Sequence, residues 1–431
     1  MKHPAGSGFM PEAGCFYFYR SQCKTLMDLP RGIPINDYNY DLPADRIAQR
    51  PTGRRDASRL LVYRDGLIED RQFSEIDSLI PEGSLVVFND TKVVRARMLF
   101  AKSTGGLIEI FCLEPLSPTV DFQLAFQQGS GCRWSCLVGN SKKWKDEPLE
   151  KNLDLKDSWL KAVRKSSLSD GCFEIEFSWA PSSLSFSDVL LMAGSTPLPP
   201  YINRESDEED TLRYQTVYAK HEGSVAAPTA GLHFSEDILD RLRTRNCIEE
   251  QLTLHVGLGT FRPVSVANVC DHIMHNESFV VKLSTLRSLR NPLNTNVIAV
   301  GTTSARTLES LYWLGVEAIA HPQTEIEIVN QWDPYITENK VLPCKSEALD
   351  ALITYMEHAG LKEFHGSTSL IIVPGYKFRV LNGLITNFHM PRSTLLMLIA
   401  AFAGDGWKTV YSHALETGYR FLSYGDACMF L

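Results

Sequence analysis

The segment NVIAVGTTSARTLESLYWLG, residues 296–315, decides the fold class because it joins a strand, a glycine loop and a helix without interruption. Its first part, Asn296–Val300, is a short apolar run of the kind that forms a buried strand. After the loop, leucines recur at helical spacing from Leu308 to Leu314, and Gly315 is expected to end the helix. Strands that pass through a loop into a helix build layered α/β domains. The sequence therefore predicts a layered α/β main domain.

Two other segments support this prediction. Ser84–Phe88 predicts a buried strand that ends at Asn89 and Asp90, and Leu384–Phe388 predicts another. Residues 391–394 then open a helix so apolar that we expect it to be buried on all sides. Because the carboxyl ends of such strands share one edge of an open sheet, the polar residues that follow them are expected to meet there.

The middle of the chain has a different sequence pattern. Between about Phe100 and Phe186, short strand-like pieces alternate with Gly, Ser and Lys clusters, which is typical of a small antiparallel sheet or barrel. Since patterns typical of an α/β domain lie on both sides, we interpret this region as an insertion. The chain is therefore divided into a poorly ordered extension at 1–36, a main α/β domain at 37–98 and 187–431, and an inserted, antiparallel β-barrel-like small domain at 99–186.

Composition indicates a soluble protein. The 431 residues are 44% apolar and carry a net charge of −8, so any contact with nucleic acid must come from local basic patches. The ten cysteines include no CxxC pair and are interpreted as reduced thiols. The longest apolar run, Leu395–Ala403, is far shorter than a membrane span of roughly 20 residues, and no signal peptide is recognised. We expect a cytoplasmic protein that starts at Met1 or Met27.

A strand-like run, LTLHVGLGTFRP at residues 252–263, is the strongest single sign of a ligand site. With a period of two, one face of this run is apolar and the other presents His255, Gly257 and Gly259. Two positions without side chains beside a titratable ring allow a ligand to lie against the backbone. The alternative is a buried strand with a hydrogen-bonded core histidine.

Besides this run, three loops have the same order of features: a strand ends, polar residues follow, and a new element begins. The three loops are residues 226–234, 301–306 and 386–394. In the second loop, hydroxyls and free backbone N–H groups at a helix N-terminus form a site for an anion or carboxylate. Arg306 can add a bidentate contact to a carboxylate. The alternative is an ordinary helix cap with a surface arginine. The loop is not a P-loop, and the chain lacks a dinucleotide-binding fingerprint.

Three histidines on separate elements, His233, His255 and His389, suit proton transfer near neutral pH. They are also compatible with a three-histidine metal site, but no carboxylate is seen that would orient metal ligands. At the C-terminus, Tyr424 and Asp426 combine an aromatic face with a carboxylate, which can hold a cation such as a sulfonium. The alternative for this segment is a structural element docked on the core.

Basic residues cluster in three places, and each cluster by itself is typical of a solvated surface. Together they are the expected contacts for a phosphate backbone. They are Arg55 and Arg59, then Lys92, Arg95 and Arg97, and finally Lys142 and Lys143.

Ten long motifs in one order make the chain resemble a known family. They are residues 41–43, 55–61, 89–93, 197–202, 214–219, 228–234, 252–264, 301–309, 386–396 and 419–427. On these motifs, from about Tyr40 to the C-terminus, the chain resembles the S-adenosylmethionine:tRNA ribosyltransferase-isomerases, the epoxyqueuosine-forming enzymes of the queuosine pathway. The N-terminal extension departs from the family pattern, and residues 115–185 match it only loosely.

The resemblance implies an α/β domain with an inserted β-barrel-like domain. It also implies that the ribosyl group of S-adenosylmethionine passes to 7-aminomethyl-7-deazaguanine at the wobble position of tRNA. Adenine and methionine are released, and the ribose becomes an epoxycyclopentane. S-adenosylmethionine is then a substrate rather than a bound cofactor, and neither a metal nor a membrane is implied. We expect the protein to be a monomer.

The resemblance turns the residues above into site candidates. A sulfonium acidifies the protons on the adjacent ribose carbon, so a neutral histidine suffices as base once water is excluded. His255 is our first choice for this base and His233 the second, while His389 and Asp426 are expected to contact the leaving group or the sulfonium. The expected substrate contacts are Thr229, Gly231, Gly257, Gly259, Arg262, Thr302, Thr303, Arg306, Asn387, Ser393, Thr394 and Tyr424.

Two other functions stay open from the sequence. One is a non-catalytic tRNA-binding module, and the other is an S-adenosylmethionine-dependent tRNA methyltransferase. The acidic net charge and the anion site at a helix terminus argue against a module that only binds RNA.

Overall fold

The structure is a computed structural model that describes residues 32–145, 147–168, 171–257, 264–294, 296–336 and 341–431. The strands within these residues are β1 Arg59–Arg64, β2 Leu67–Gln72, β3 Leu85–Asn89, β4 Thr91–Val93, β5 Arg97–Ala101, β6 Leu107–Ser117, β7 Gly131–Gly139, β8 Leu149–Asn152, β9 Trp159–Ser167, β10 Cys172–Ala180, β11 Gly194–Ser195, β12 His221–Ser224, β13 Ile248–Leu254, β14 Glu277–Lys282, β15 Val297–Val300, β16 Ile328–Val329, β17 Glu363–Thr368, β18 Gly383–Asn387 and β19 Ala427–Phe430. The α-helices are α1 Ile76–Leu79, α2 Phe122–Phe126, α3 Phe186–Ala193, α4 Glu208–Arg213, α5 Glu236–Thr244, α6 Leu283–Arg290, α7 Thr302–Ala320, α8 Asp333–Ile336, α9 Lys345–His358, α10 Thr394–Ala403 and α11 Gly406–Glu416.

Ten of these strands form one mixed sheet in the order β16-β17-β14-β13-β3-β15-β18-β19-β1-β2. Its centre is parallel, since β13 and β15 both run parallel to β3, and β18 runs parallel to β15. The four central strands end along one edge, at Leu254, Asn89, Val300 and Asn387. Open α/β sheets bind ligands at this edge. The three strands predicted from the sequence are observed as β3, β15 and β18, each within one residue of its predicted ends.

A second sheet is antiparallel and has the strand order β11-β5-β6-β7-β10-β9-β8 among the described residues. It curls so that β8 comes within 8 Å of β5. Its concave side encloses an apolar core that includes the buried rings of Trp134, Phe177 and Phe186. The chain therefore has a mixed α/β fold with a curled antiparallel sheet. The limits of an inserted domain, residues 99–186, fall inside the span of this sheet and stay a prediction.

The chain enters the main core earlier than predicted. Ile35 is fully buried, and its backbone N–H donates to the carbonyl of Ala267 at 3.0 Å. Because Ile35 packs in the core, an extension that reaches residue 36 is too long. Residues 1–31, which include Met27, lie outside the described residues.

Helix α7 is longer than the sequence predicted. It runs from Thr302 to Ala320, so the expectation that Gly315 ends it is wrong. A Cβ at Gly315 would lie 2.1 Å from the backbone oxygen of Ala348 in α9, so the glycine allows two helices to touch. Helix α10 buries residues 396–400, but its two ends are partly exposed, unlike the prediction. None of the described helices combines the length and the apolar character needed to cross a bilayer.

The glycine-rich strand-like run ends earlier than predicted. Strand β13 stops at Leu254, although the apolar face stays buried as far as Val256. Residues 258–263 lie outside the described residues, and with them the predicted substrate contacts Gly259 and Arg262.

Candidate active site

The three predicted loops meet at one cavity on the carboxyl edge of the large sheet, and Val256 of the strand-like run also lines it. The cavity has a volume of about 70 Å³. The predicted site residues that line it are Thr229, Thr302, Thr303, Asn387, His389 and Ser393. Ligand sites commonly measure roughly 300–1,000 Å³, so a nucleoside ligand requires the walls of this cavity to move apart.

The N-terminus of α7 forms one wall of the cavity. Gly301 precedes the helix with φ of 90°, a conformation that favours glycine, and its backbone N–H donates to Ile385 O at 2.8 Å. Thr302 and Thr303 follow in the first turn and both line the cavity. A helix of 19 residues directs its free N–H groups and the positive end of its dipole at this space. The arrangement favours a bound carboxylate or other anion.

Arg306 does not face this cavity, contrary to the prediction of a carboxylate contact. Its guanidinium donates to the carboxylate of Glu277, and its Nε–H donates to Leu370 O at 3.0 Å. Both members of the ion pair are buried. Burial raises the pKa of Glu277, but Arg306 and His275 more than offset this and bring it to about 2. Arg306 is therefore committed to an ion pair inside the protein.

His233 lies behind the cavity and positions Asn387. Its Nδ1 is 2.8 Å from Ser58 Oγ, and its Nε2 is 3.0 Å from Asn387 Nδ2, which donates to it. Burial lowers the pKa of His233 to about 3, so the ring is neutral near pH 7. Because both ring nitrogens are engaged, His233 is a weaker candidate for the base. Asn387 Oδ1 is buried and has no hydrogen-bond donor among the described residues, which leaves it an acceptor for a ligand.

His389 lines the cavity directly. Its Nε2 lies 3.0 Å from Thr386 Oγ1, and its backbone N–H donates to Tyr411 OH at 3.0 Å. The phenol of Tyr40 donates to its carbonyl. Burial lowers the pKa of His389 to about 3, so the cavity contains a neutral imidazole at pH 7.

His255 faces a different space, although its neighbour Val256 lines the small cavity. That space is a cleft of about 680 Å³ between α2 and the strands β13 and β14. The imidazole stacks on Phe122 with ring centroids 4.7 Å apart, and a Cβ at Gly223 would come within 2.2 Å of it. Burial lowers the pKa of His255 to about 4. The segment 255–256 therefore separates the cavity from the cleft.

Asp426 and Tyr424 brace the floor of the site instead of lining it. The Asp426 carboxylate accepts the backbone N–H groups of Arg59 at 3.0 Å and Arg420 at 2.8 Å. The Tyr424 hydroxyl donates to Asp210 at 2.7 Å. Ser423, directly before Tyr424, lines the cavity and is not predicted from the sequence, since nothing distinguishes it there from other serines. The predicted contacts Gly231, Gly257 and Thr394 are not among the residues that line the described cavity.

Most of the predicted tRNA-binding residues are held by contacts within the protein. The contacts are Arg55 to Leu212 O and Leu232 O, Arg59 over the Tyr419 ring, Lys92 to Glu222, Arg95 to Leu191 O and Arg97 to Glu109. Lys142 and Lys143 are exposed in the short helical turn after β7. Of the predicted set, these two lysines are the ones whose side chains are not engaged by another group in the described part of the chain.

The three site histidines do not form a metal site in the described part of the chain. No group of three or more His, Cys, Asp or Glu side chains lies close enough there to hold a metal ion. A nearby pair of the same residue types, His275 and Glu277, is part of an internal ion-pair network, because His275 Nε2 lies 3.1 Å from Glu277 and the same carboxylate pairs with Arg306.

The buried histidines predict how stability depends on pH. Burial lowers the pKa of His233, His255 and His389 to about 3, 4 and 3, below an unfolded value near 6.5. The unfolded chain therefore binds more protons as the pH falls, so the stability is full above about pH 6.5 and declines below it. Each histidine costs roughly 1.4 kcal/mol per pH unit in this range. Urea unfolding at about pH 7 and pH 5 measures the change, and His233→Asn should lose less than wild type. Equal midpoints at both pH values would contradict the prediction.

Comparisons with known proteins agree with the resemblance in the sequence. The family described as queuosine biosynthesis protein matches residues 35–430. The S-adenosylmethionine:tRNA ribosyltransferase-isomerase of Azoarcus sp. (strain BH72) is 38% identical over 400 residues, which cover 92% of this chain and 97% of that protein. The relative of the same name from Thermotoga maritima is 38% identical over 405 residues, 93% of this chain and 100% of its own.

One solved structure is also similar, the crystal structure of S-adenosylmethionine tRNA ribosyltransferase from Thermotoga maritima. It is 29% identical, covers 92% of this chain and 100% of its own, and gives a TM-score of 0.44. The family match over residues 35–430 and the relatives at 38% identity show that the chain belongs to the queuosine biosynthesis protein family, in which the Azoarcus and Thermotoga maritima relatives are named S-adenosylmethionine:tRNA ribosyltransferase-isomerases.

Proposed function

We propose that the chain transfers and isomerises the ribosyl group of S-adenosylmethionine onto 7-aminomethyl-7-deazaguanine at the wobble position of tRNA. The products are epoxyqueuosine-tRNA, adenine and methionine. The single observation that carries the proposal is the convergence of three loops on one cavity at the N-terminus of α7, within a chain of this family.

The cavity suits the polar groups of S-adenosylmethionine. The methionine carboxylate binds the free N–H groups and hydroxyls at Thr302 and Thr303, because the helix terminus favours negative charge. Asn387 Oδ1, a buried acceptor without a donor among the described residues, takes an N–H of the ammonium or of adenine. Neutral His389 contacts the sulfonium or the leaving adenine without charge repulsion.

His255 remains our proposed base. It is neutral near pH 7, and the chain segment that carries it forms a wall of the cavity through Val256. The sulfonium acidifies the ribose protons next to it, so proton removal does not require a strong base. Unlike His233, His255 makes one side-chain hydrogen-bond contact among the described residues, a long one of 3.5 Å from Nδ1 to Thr91 Oγ1.

We infer the remaining features from the same reaction. The sulfonium supplies the activated carbon, so the chemistry uses S-adenosylmethionine as a substrate and needs no metal. We also propose that the protein is a cytoplasmic monomer with a layered α/β domain. In the complex with tRNA, the exposed Lys142 and Lys143 contact the phosphates.

Product analysis tests the function. The protein is incubated with S-adenosylmethionine and tRNA that carries the 7-aminomethyl base, and we expect adenine and methionine in amounts equal to the modified tRNA. The matched control is tRNA with guanine at the same position, which lacks the nucleophilic amine. S-adenosylhomocysteine among the products would support a methyltransferase, and unconsumed S-adenosylmethionine would support a non-catalytic binder.

A further inference from the structure

The cleft beside His255 is large enough to hold a nucleobase. Its volume is about 680 Å³, and it lies between α2 of the antiparallel part and β13 and β14 of the large sheet. At its mouth the apolar side chains of Val120 and Leu124 are 74% and 54% exposed, and the Phe122 ring stacks on His255 within. Unstacked bases bind proteins by stacking on aromatic rings, and Phe122 is a partly exposed ring in this cleft.

Asp90 lies in this cleft and has no part in the steps described above. It follows the last residue of β3, at the carboxyl edge of the sheet, and is only 3% exposed. Its Oδ1 accepts a hydrogen bond from Thr253 Oγ1 at 2.7 Å. Its Oδ2 faces His221 Nε2 at 3.7 Å, which is too long for a hydrogen bond. One carboxylate oxygen is therefore fixed by Thr253, and the other, which faces the His221 ring, makes no hydrogen bond within the described part of the chain.

The ring of His221 is oriented by the antiparallel part of the protein. Gln123 in α2 donates its side-chain N–H to His221 Nδ1 at 3.1 Å. With Nδ1 as acceptor, the proton of a neutral His221 lies on Nε2 and is directed at Asp90. Helix α2 therefore supplies two groups of the cleft. Phe122 is the stacking ring, and Gln123 orients His221, which faces the buried carboxylate of Asp90.

The charged groups that line the cleft as a whole favour a cationic ligand, although those nearest Asp90 are basic. Lys220 and Lys282 lie near its carboxylate, and Lys282 also lines the cleft. The other titratable groups that line the cleft are Asp121, Glu327, Glu363, His221, His255 and His365. Burial raises the pKa of Asp90, although Thr253 and His221 act against the shift. The carboxylates outnumber the lysines in the lining, and the buried carboxylate has more affinity for a proton than a free aspartate.

We propose that the cleft holds the wobble nucleobase and that Asp90 accepts the proton of its aminomethyl ammonium. This inference rests on the proposed function. One N–H bond of the ammonium breaks and leaves its electron pair on nitrogen, and an O–H bond forms on Asp90 Oδ2. The free amine then forms a C–N bond to the ribosyl carbon as the bond from that carbon to its leaving group breaks, with the electron pair going to the leaving group. The new secondary ammonium loses its extra proton to solvent, and Asp90 also releases its proton to solvent before the next turnover. A primary amine with an ordinary pKa near 10 is almost wholly protonated at pH 7, so this step is required of the protein.

The test is Asp90→Asn, which keeps the size of the side chain but removes its basicity. We expect kcat at pH 7 to fall about 100-fold or more. We also expect the variant's kcat to rise with pH toward the pKa of the free amine, whereas that of the wild type is flat. Binding of S-adenosylmethionine alone should stay within about two-fold. The matched control is Asp350→Asn, which removes a half-exposed surface carboxylate paired with Arg290, and its kcat should equal that of the wild type.

Binding of tRNA with guanine at the wobble position distinguishes a specific role of Asp90 from a folding defect of the variant. The measurement also tests this role independently of the proposed function. Wild-type protein should bind tRNA with the aminomethyl base more tightly than tRNA with guanine, and Asp90→Asn should lose this preference while it still binds both. A kcat within a few-fold of wild type, or an unchanged preference, would overturn the role of Asp90 even if the wild type makes epoxyqueuosine. A wild type that releases no adenine would instead overturn the proposed function.

Discussion

His255→Ala is expected to lower kcat for ribosyl transfer by about 100-fold or more, the usual contribution of a general base. The imidazole lies between Phe122 and the backbone of Gly223, and among the described residues its hydrogen-bond contact is a long one of 3.5 Å to Thr91 Oγ1. Because burial lowers its pKa to about 4, the neutral, basic form is complete at pH 7. Rates of adenine release with the aminomethyl tRNA measure the effect.

The pH dependence of the same variant distinguishes a base from an acid. A base with a pKa of about 4 is fully active between about pH 6 and pH 8, so the ratio of wild-type to variant kcat should be constant there. An acid at this position would give a ratio that shrinks as the pH rises. The matched control is His321→Ala, which removes an exposed histidine at the end of α7. A turnover within a few-fold of wild type would remove His255 from this role.

The parts of the site that the sequence predicted are those set by local pattern. Short apolar runs at 84–88, 296–300 and 384–388 form parallel neighbours, and parallel strands end at one edge. For this reason Thr303, Asn387 and similar loop residues come together although they are far apart in the chain. The parallel arrangement of the strands alone brings these loop residues together.

The parts that the sequence did not predict depend on long-range packing. Arg306 pairs with Glu277, 29 positions away, and nothing in either segment reveals the other. Phe122 comes from the antiparallel part, yet it stacks on His255 of the main sheet. The sequence predicts Asp90 only as a residue at the end of a strand, because His221, which faces its carboxylate, lies on a different element.

Gly315 shows the same limit, since its prediction as a helix-ending residue rested on local pattern alone. Because Gly315 allows α7 and α9 to touch, we expect Gly315→Ala to lower the free energy of unfolding by about 1–3 kcal/mol. We expect this loss although alanine favours the helix by about 1 kcal/mol relative to glycine. The new methyl group would meet the backbone of Ala348, with its carbonyl oxygen 2.1 Å away, and backbone cannot rotate aside as a side chain can. The midpoint of urea unfolding measures the loss.

The matched control is Gly53→Ala, at a glycine with open space around its Cβ position and no left-handed φ, which should change stability by less than about 0.5 kcal/mol. Equal midpoints for the two variants would show that α7 and α9 separate at little cost. If α7 and α9 stay in contact, the added methyl group is expected to displace α7. This displacement would reach the site, because α7 begins at Thr302 and Thr303 in the cavity wall. Gly315→Ala should then also weaken the binding of S-adenosylmethionine, whereas Gly53→Ala should not. The packing of α9 against α7 thus fixes the helix terminus on which the proposed carboxylate site depends.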